Sequence, residues 1–373
     1  MKQKNIKLLI FIVHDGIKNS VFTGQVLQPT LQKIKNQTID HVLLISFEKE
    51  SISQDYIYNL IKNNIPQNSN ISSSVISTIT LKRSIFWGKF SLRSAISQLT
   101  QVLKKYRKYN VIARGPIAGF IAAKSINFLH CNNFTIQARG LLAQEYDYAH
   151  KNEKNPLKKI IHKARYYIFH ALEKKTYQLS KKLPNTQIES VSHALKNHLI
   201  NNFGANQDSI TLANSDIPSQ FEKNQITTWR THIRQKLQIP ANTTIYCYNG
   251  SIKPWQCPEK VIDFFKKKLQ NPCYHSSPSV LKKRSKKIFL LILTQHTKEF
   301  ETLIKQANIP RHTYLIKTID HNKIYQYLAA CDYGIIFREP NIVNWVSRPT
   351  KVLEYRAVGL KIIHNNTVGI LCK

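Results

Sequence analysis

The feature that most constrains this chain is the alternation of short apolar runs with amphipathic helical patterns. Runs of about four to eight residues, rich in Ile, Val, Leu and Phe, read as buried strands. Their alternation with helical patterns is typical of strand-helix-strand units, which build parallel sheets covered by helices. The strands predicted in the first part of the chain are IKLLIFIV, HVLLISF, SSVISTITL, NVIAR, FTIQAR, TQIESVS and SITLAN.

The alternation is interrupted by a polar stretch, residues 216–240, and then restarts. A chain of 373 residues with 42% hydrophobic residues is long enough for two domains. We therefore predict an α/β fold of two Rossmann-like doubly wound domains, residues 1–220 and 221–373. Open parallel sheets bind ligands at the carboxyl ends of their strands, so we expect a cleft there. The strands predicted in the second domain are TTIYCYNG, KIFLLILT, HTYLIKT, YGIIF and LKIIH.

The second domain shows two irregularities. The insertion NPCYHSSPSVLKKRSKK has the composition of a surface loop. The pattern also stops shortly after LKIIH, with no helix to follow that strand. Because parallel sheets are normally covered on both faces, we expect a truncated, incomplete second domain.

The charge of the chain is strongly positive. Fifty-five Lys and Arg against 21 Asp and Glu give +34, which attracts nucleic acid, anionic membranes or phosphate-rich substrates. The clusters KKYRKY, KNEKNPLKKIIHKARYY and LKKRSKK are interpreted as solvated faces, and contact with an anionic membrane surface stays open for them. In residues 157–172 the apolar positions recur at helical spacing and place the lysines on the opposite face. No helix-turn-helix or aromatic-interleaved basic motif is present, so nucleic acid is not a predicted partner.

The cysteines and the N-terminus indicate a cytoplasmic protein. The six cysteines form no CxxC pair and no spacing expected of a zinc site, and we interpret them as buried thiols in a reducing compartment. The first apolar run is too short for a signal core or a membrane span and is interpreted as a buried strand.

One segment carries the residue types of a phosphate site, YGIIFREPNIVNWVSRPTKVLEYRAVGLKII. Residues 347–351, SRPTK, open a helix after the strand YGIIF, where backbone N–H groups and the helix dipole attract anions. Arg338 and Lys351 are then placed to converge on a diphosphate, and Glu354 to accept hydrogen bonds from a ribose diol. The alternative is that Arg338, Glu339, Lys351 and Glu354 form ordinary surface ion pairs, each worth under about 1 kcal/mol.

This segment resembles a branch of the family 4 glycosyltransferases, in which a strand ending in Arg-Glu, a Ser-Pro-x-Lys loop and a Glu-Tyr helix precede an apolar strand. YNGSIKPWQCPEKVIDFF is similar to that branch's Gly-Ser turn followed by Trp-Gln. VSHALKNHLINNFG and, nearer the N-terminus, SVFTGQVLQPTLQKI and QARGLLAQEY are similar to segments of its first domain. Many family members have two glutamates in the last motif, whereas only Glu354 is matched here and Val346 stands at the first position.

The resemblance implies a GT-B fold whose second domain holds a nucleotide-sugar and whose first domain holds the acceptor. It implies a retaining, metal-independent transferase that needs no cofactor and acts on a cell-surface glycan or a lipid-linked acceptor, as in lipopolysaccharide or capsule biosynthesis. Arg139 takes a position that is histidine in many relatives. Because arginine stays protonated, its expected role is charge stabilisation or acceptor binding. The implied catalytic residues are Arg139, Arg338 and Lys351, and the implied donor-binding residues are Gly24, Gln25, Gly250, Ser251, Gln256, Ser347, Pro349, Thr350 and Glu354.

Two functions stay open on the sequence alone. The first is a glycosyltransferase on the inner face of the membrane. The second, which follows from the expected truncation, is an inactive remnant that keeps the fold without transfer, either with or without affinity for nucleotides.

Overall fold

The computed structural model describes residues 7–19, 22–65, 71–84, 87–214, 220–270, 287–320 and 323–372. The chain divides into two compact units, Met1–Asp216 and Ile217–Lys373. The predicted surface loop NPCYHSSPSVLKKRSKK lies almost entirely outside the described residues.

The first unit is built on a parallel sheet of seven strands in the order β3-β2-β1-β4-β5-β6-β7. Strand β1 pairs in parallel with both β2 and β4, so the strand order reverses between β1 and β4. Ligands of doubly wound sheets bind beside such a reversal, outside the carboxyl ends of the strands. The strands are β1 Leu8–Val13, β2 His41–Glu48, β3 Ile76–Lys82, β4 Tyr109–Arg114, β5 Cys131–Ala138, β6 Thr186–Ser190 and β7 Ile210–Leu212.

Helices connect these strands. A five-residue π-helix, Thr23–Leu27, runs directly into the first α-helix. The α-helices of this unit are α1 Gln28–Lys35, α2 Gln54–Asn64, α3 Arg93–Leu103, α4 Gly115–Ser125, α5 Leu142–His150, α6 Pro156–Gln178 and α7 His193–Asn201.

The second unit contains a parallel sheet of five strands in the order β10-β9-β8-β11-β12, which reverses between β8 and β11. Alternate residues of β8 enter different cores: Ile245 and Cys247 pack into one apolar cluster, Tyr246 and Tyr248 into another. This alternation is the period of a strand buried on both faces. The strands are β8 Thr244–Asn249, β9 Ile288–Leu293, β10 Tyr314–Lys317, β11 Tyr333–Ile336 and β12 Lys361–His364.

The helices of the second unit include two that were not predicted from the sequence pattern. The polar stretch expected as a bridge contains α8, whose Ile226, Trp229 and Ile233 pack into the core around β8. A short helix, α12, also separates strand β11 from the helix that carries Glu354, which therefore does not follow that strand directly. The helices are α8 Lys223–Lys236, α9 Pro258–Gln270, α10 Thr297–Gln306, α11 Ile324–Ala329, α12 Ile342–Val346 and α13 Thr350–Ala357.

Short 3-10 turns complete the described structure. They are Ser73–Val75, Lys89–Leu92, Leu179–Lys181, Gln207–Ser209, Pro254–Gln256, Arg311–Thr313 and Gly369–Leu371.

Helix α6 departs from the expected burial of its apolar stripe. Phe169 and Leu172 are buried, but Leu157, Ile160 and Ile161 in its first turns are exposed. The stripe is therefore packed against the unit only in the C-terminal half of the helix.

The cysteines follow the expectation in most cases. Cys131, Cys247, Cys257 and Cys331 are free and buried, whereas Cys372 is half-buried, and Cys273 lies outside the described residues. Within the described ranges, no helix has the length and apolar character needed to cross a membrane.

Candidate functional site

The turn after β8 is the centre of the candidate site in the second unit. The Tyr248 hydroxyl donates to the backbone carbonyl of Ser251 at 2.7 Å, which fixes the turn against the end of its strand. The Gln256 amide donates to Ser251 Oγ at 2.8 Å. Ser251 and Gln256, both predicted from the sequence, therefore lie together at the carboxyl end of β8.

Lys351, in the first turn of α13, enters the same group. Its ammonium donates to Gln256 Oε1 at 2.7 Å and lies 4.5 Å from the centroid of the Tyr248 ring. The side chain is only 7% exposed. Burial, and secondly the nearby charge of Arg338, hold the pKa of Lys351 well below its usual value. A buried cation whose neighbours include a second cation favours binding of an anion.

Gly250 gives the turn the room that this arrangement needs. A Cβ at position 250 would lie 2.5 Å from Lys351 Nζ and 2.7 Å from Gln256 Oε1. Any larger residue would therefore displace the Lys351 side chain or the Gln256 side chain. The close approach also agrees with the use of glycine where a ligand must come near the backbone.

Glu354, one turn further along α13, is fixed by the residue that precedes the glycine. The Asn249 side-chain amide donates to Glu354 Oε2 at 2.7 Å, and Glu354 is 8% exposed. The backbone N–H of Asn249 donates to the Tyr355 hydroxyl at 3.0 Å, which joins α13 to the end of β8 a second time. Lys351 and Glu354 are thus buried, and the interpretation of these two as surface ion-pair residues is wrong.

Arg338 lies in the loop after β11, on the other side of the strand reversal. Its backbone N–H donates to Asn365 Oδ1 at 3.2 Å, and its carbonyl accepts from Asn365 Nδ2 at 2.8 Å. The side chain is 9% exposed, and after burial its charge is the second cause of the lowered pKa of Lys351. The loop after β12 therefore holds this cation near the turn after β8.

A cavity of about 280 Å³ lies beside this group, at the carboxyl ends of β8, β9 and β10. Asn249 lines this cavity and also donates the hydrogen bond to Glu354. Its wall combines apolar side chains with hydroxyl, amide and imidazole groups. The cavity is lined by residues 249–251, 293–296, 318, 319 and 324.

The loop before α13 contributes less than the sequence suggested. The Ser347 hydroxyl donates to the Asn344 carbonyl at 2.8 Å and so closes the end of α12. Pro349 occupies the N-cap of α13, and Thr350, its first residue, is exposed. Ser347, Pro349 and Thr350 thus lie at the junction of α12 and α13, immediately before Lys351.

The first unit holds the remaining predicted residues at its own strand ends. Gln25 Oε1 accepts from Arg114 at 2.6 Å, and Arg114 also pairs with Asp15 at 3.0 Å. Gly24 lies in the same π-helical turn. Arg139, directly after β5, lies 3.7 Å from the Glu189 carboxylate. These groups all lie at the carboxyl edge of the first sheet.

Three residues of the site were missed by the sequence reading. Asn249 and Tyr355 are the sequence neighbours of the predicted Gly250 and Glu354. Their role is to join the end of β8 to α13. Arg114 ends the predicted strand NVIAR just as Arg139 ends the predicted strand FTIQAR, and that parallel was the signal for it.

The fold is that of the GT-B glycosyltransferases, with two Rossmann-like domains in one chain. A glycosyltransferase from Rickettsia africae matches with a TM-score of 0.61 at 15% identity, over 98% of this chain and 81% of that one. Anabaena HepE in complex with UDP and glucose matches with a TM-score of 0.58 at 13% identity, over 98% and 82% of the two chains. WaaG, a glycosyltransferase involved in lipopolysaccharide biosynthesis, matches with a TM-score of 0.56 at 12% identity, over 97% and 82%. No family model matches the sequence, and no curated protein matches it significantly.

Proposed function

We propose that this protein is a glycosyltransferase that takes its sugar from a nucleotide-sugar. The observation that carries the proposal is the continuity of the site in the second unit. A cavity at three strand ends is joined through Asn249 to the buried carboxylate of Glu354, and the buried ammonium of Lys351 lies one helical turn away. The order of these groups follows the order of base, ribose and diphosphate in a nucleoside diphosphate.

Each group has a chemical role in this proposal. The cavity takes the base, and Glu354 accepts hydrogen bonds from the ribose diol. Ser251, Lys351 and Arg338 hold the diphosphate. As the bond to the sugar breaks, negative charge grows on the leaving diphosphate, and fixed cations lower the energy of that state. In the proposed reaction these side chains supply the positive charge, so that no metal ion or other cofactor takes part.

The first unit is proposed to hold the acceptor. Gly24 and Gln25 are assigned to contacts with the donor, and Arg139 to the acceptor or to stabilisation of charge. A cell-surface glycan or lipid-linked intermediate is the proposed acceptor, and retention of the anomeric configuration is the proposed outcome. Support comes from the resemblance of the motifs and from the involvement of the structurally similar WaaG in lipopolysaccharide biosynthesis. Free buried thiols in both units support a cytoplasmic place of action.

Calorimetric titration with UDP, GDP and their sugars tests the donor site. We expect one nucleotide to bind selectively, and we expect Lys351→Ala and Glu354→Ala each to weaken it by about tenfold or more, since each removes a charged hydrogen-bonding partner. Lys361→Ala and Glu301→Ala are matched controls, because both residues are exposed in the same unit. A folded protein that binds no nucleoside diphosphate would overturn the proposal.

A further inference from the structure

The helical hairpin of α5 and α6 projects from the carboxyl edge of the first sheet. Glu173 on α6 accepts from the backbone N–H groups of Leu142 and Ala143, which follow β5 closely, at 2.6 and 2.9 Å. Further out, Tyr146 pairs with His162 at 2.6 Å, so the two helices run antiparallel. At 1.5 Å per residue, the first turn of α6 lies roughly 25 Å from Glu173, beyond that edge.

The projecting half of α6 exposes large apolar side chains. Leu157 is 70% exposed, Ile160 66%, Ile161 50% and Tyr167 58%. The two isoleucines follow Leu157 at spacings of three and four residues, which place all three on one face of the helix. Exposed single apolar residues are ordinary, but a grouped set at the tip of a projection indicates an interaction surface.

A second element adds aromatic side chains at the same edge. Trp87, 54% exposed, and Phe90, 76% exposed, lie in the connection that follows β3. The Arg165 guanidinium of α6 lies 4.9 Å from the Trp87 ring centroid, which joins this connection to the hairpin. We call Trp87, Phe90, Leu157, Ile160, Ile161 and Tyr167 the docking surface.

The same segment also carries exposed basic side chains, on the other face of α6. Residues 151–167 contain six Lys and Arg against one glutamate, and Lys154, Lys158, Lys159 and Lys163 are exposed. Aromatic and aliphatic side chains that enter the acyl boundary, among lysines that meet anionic headgroups, are the chemistry of an interfacial helix. Charge complementarity therefore favours an anionic bilayer over a second copy of this basic chain, whose like charges would repel.

We propose that the docking surface binds the protein to the interface of an anionic lipid bilayer. It lies at the sheet edge that also carries Arg114 and Arg139, so the membrane would meet the proposed acceptor side. This part of the inference rests on the proposed function, and it selects a lipid-linked acceptor among those considered there. Binding to lipid itself requires neither a donor nor transfer.

Vesicle flotation with the full chain tests the proposal. The probes are phosphatidylcholine vesicles with and without phosphatidylglycerol. We expect binding to the anionic vesicles, and a loss of about tenfold or more both in Leu157→Gln/Ile160→Gln/Ile161→Gln and in Lys158→Glu/Lys159→Glu/Lys163→Glu. The substituted side chains are exposed, and glutamine and glutamate favour helices, so both variants are expected to fold.

The matched control is Lys33→Glu/Lys104→Glu/Lys105→Glu. It makes the same change in charge with exposed lysines at the opposite edge of the same sheet, near the ends of α1 and α3. An equal loss in this control would overturn the proposal, because binding would then follow net charge alone. Absence of binding to anionic vesicles would overturn it too, as would a dimer in light scattering that the triple glutamine variant dissociates. Nucleotide titration of each variant reports separately on the proposed function.

Discussion

The Lys351 ammonium and the Gln256 side-chain carbonyl are 2.7 Å apart, in a turn where Gly250 leaves no space for a Cβ. The neutral amide oxygen accepts from Lys351 and, at 3.1 Å, from the Tyr248 hydroxyl, and it does not cancel the charge of the lysine. A carboxylate at position 256 would form an ion pair there and remove the attraction for an anion. The hydrogen bond therefore holds the Lys351 side chain in place without an ion pair that would compete with a diphosphate.

The charge of Lys351 makes nucleotide affinity depend on pH. Burial and the charge of Arg338 lower the pKa of Lys351 in the free protein. A bound diphosphate favours the charged form and so raises this pKa. At a pH between the pKa of the free protein and that of the complex, binding therefore takes up a proton. Above about pH 7, where a terminal phosphate is already ionised, we expect UDP affinity to fall as pH rises. Calorimetry in two buffers of different ionisation enthalpy measures the uptake. Lys351→Arg, charged at every pH in this range, should show a flat profile, and an identical profile in the wild type would contradict the prediction.

Gln256→Glu should weaken UDP binding more than Gln256→Ala does. The glutamate places a carboxylate about 2.7 Å from Lys351 Nζ, which raises the pKa of the lysine and repels the diphosphate. Alanine removes the acceptor for Lys351 and the donor to Ser251 Oγ, but it adds no charge. We expect about a tenfold or greater loss for glutamate, since each 1.4 kcal/mol of lost attraction is tenfold. Equal Kd values for the two variants would show that the phosphates do not approach Lys351.

Gly250→Ala should reduce affinity while leaving the unit folded. The new Cβ would lie 2.5 Å from Lys351 Nζ, so the flexible lysine side chain must move, and the φ of +156° at position 250 adds strain to the turn. We expect a loss of about tenfold in UDP affinity, the cost of one displaced charged hydrogen bond. Gly24→Ala is the comparison for folding, because no atom lies within 4 Å of a Cβ there. Unaltered UDP binding in Gly250→Ala would place the diphosphate elsewhere.

The sequence predicted the parts of the molecule that obey a local rule. Apolar runs located the strands because a strand buried on both faces needs continuous hydrophobic residues. Helix α8 was missed because its polar composition masked Ile226, Trp229 and Ile233, which nevertheless recur at helical spacing. The exposure of Leu157 on α6 could not be inferred, since helical periodicity reports a shared face and not whether anything covers that face.

The site was predicted in outline for the same reason. Lys351 and Glu354 share a helix, so their proximity follows from their spacing. Gln256 and Asn249 reach them across long sequence separations, and only the strand order β9-β8-β11 brings these elements together. Topology of that kind is not contained in a local pattern.

Glu173 should make the stability of the first unit depend on pH. Burial raises the pKa of this carboxyl to about 8, although both oxygens accept backbone N–H groups that favour ionisation. A pKa raised above its unfolded value contributes stability that is complete below about pH 4.5 and is lost as pH rises through 8. Between about pH 6 and pH 9 the loss amounts to about 3 kcal/mol. Glu173→Gln cannot ionise, so its free energy of unfolding should fall less over this range and approach or exceed that of the wild type at high pH.

Glu301→Gln, at an exposed position, should instead parallel the wild type. Denaturant unfolding of the three proteins across this range measures the difference, and parallel curves for Glu173→Gln and the wild type would show that Glu173 is already ionised at pH 6.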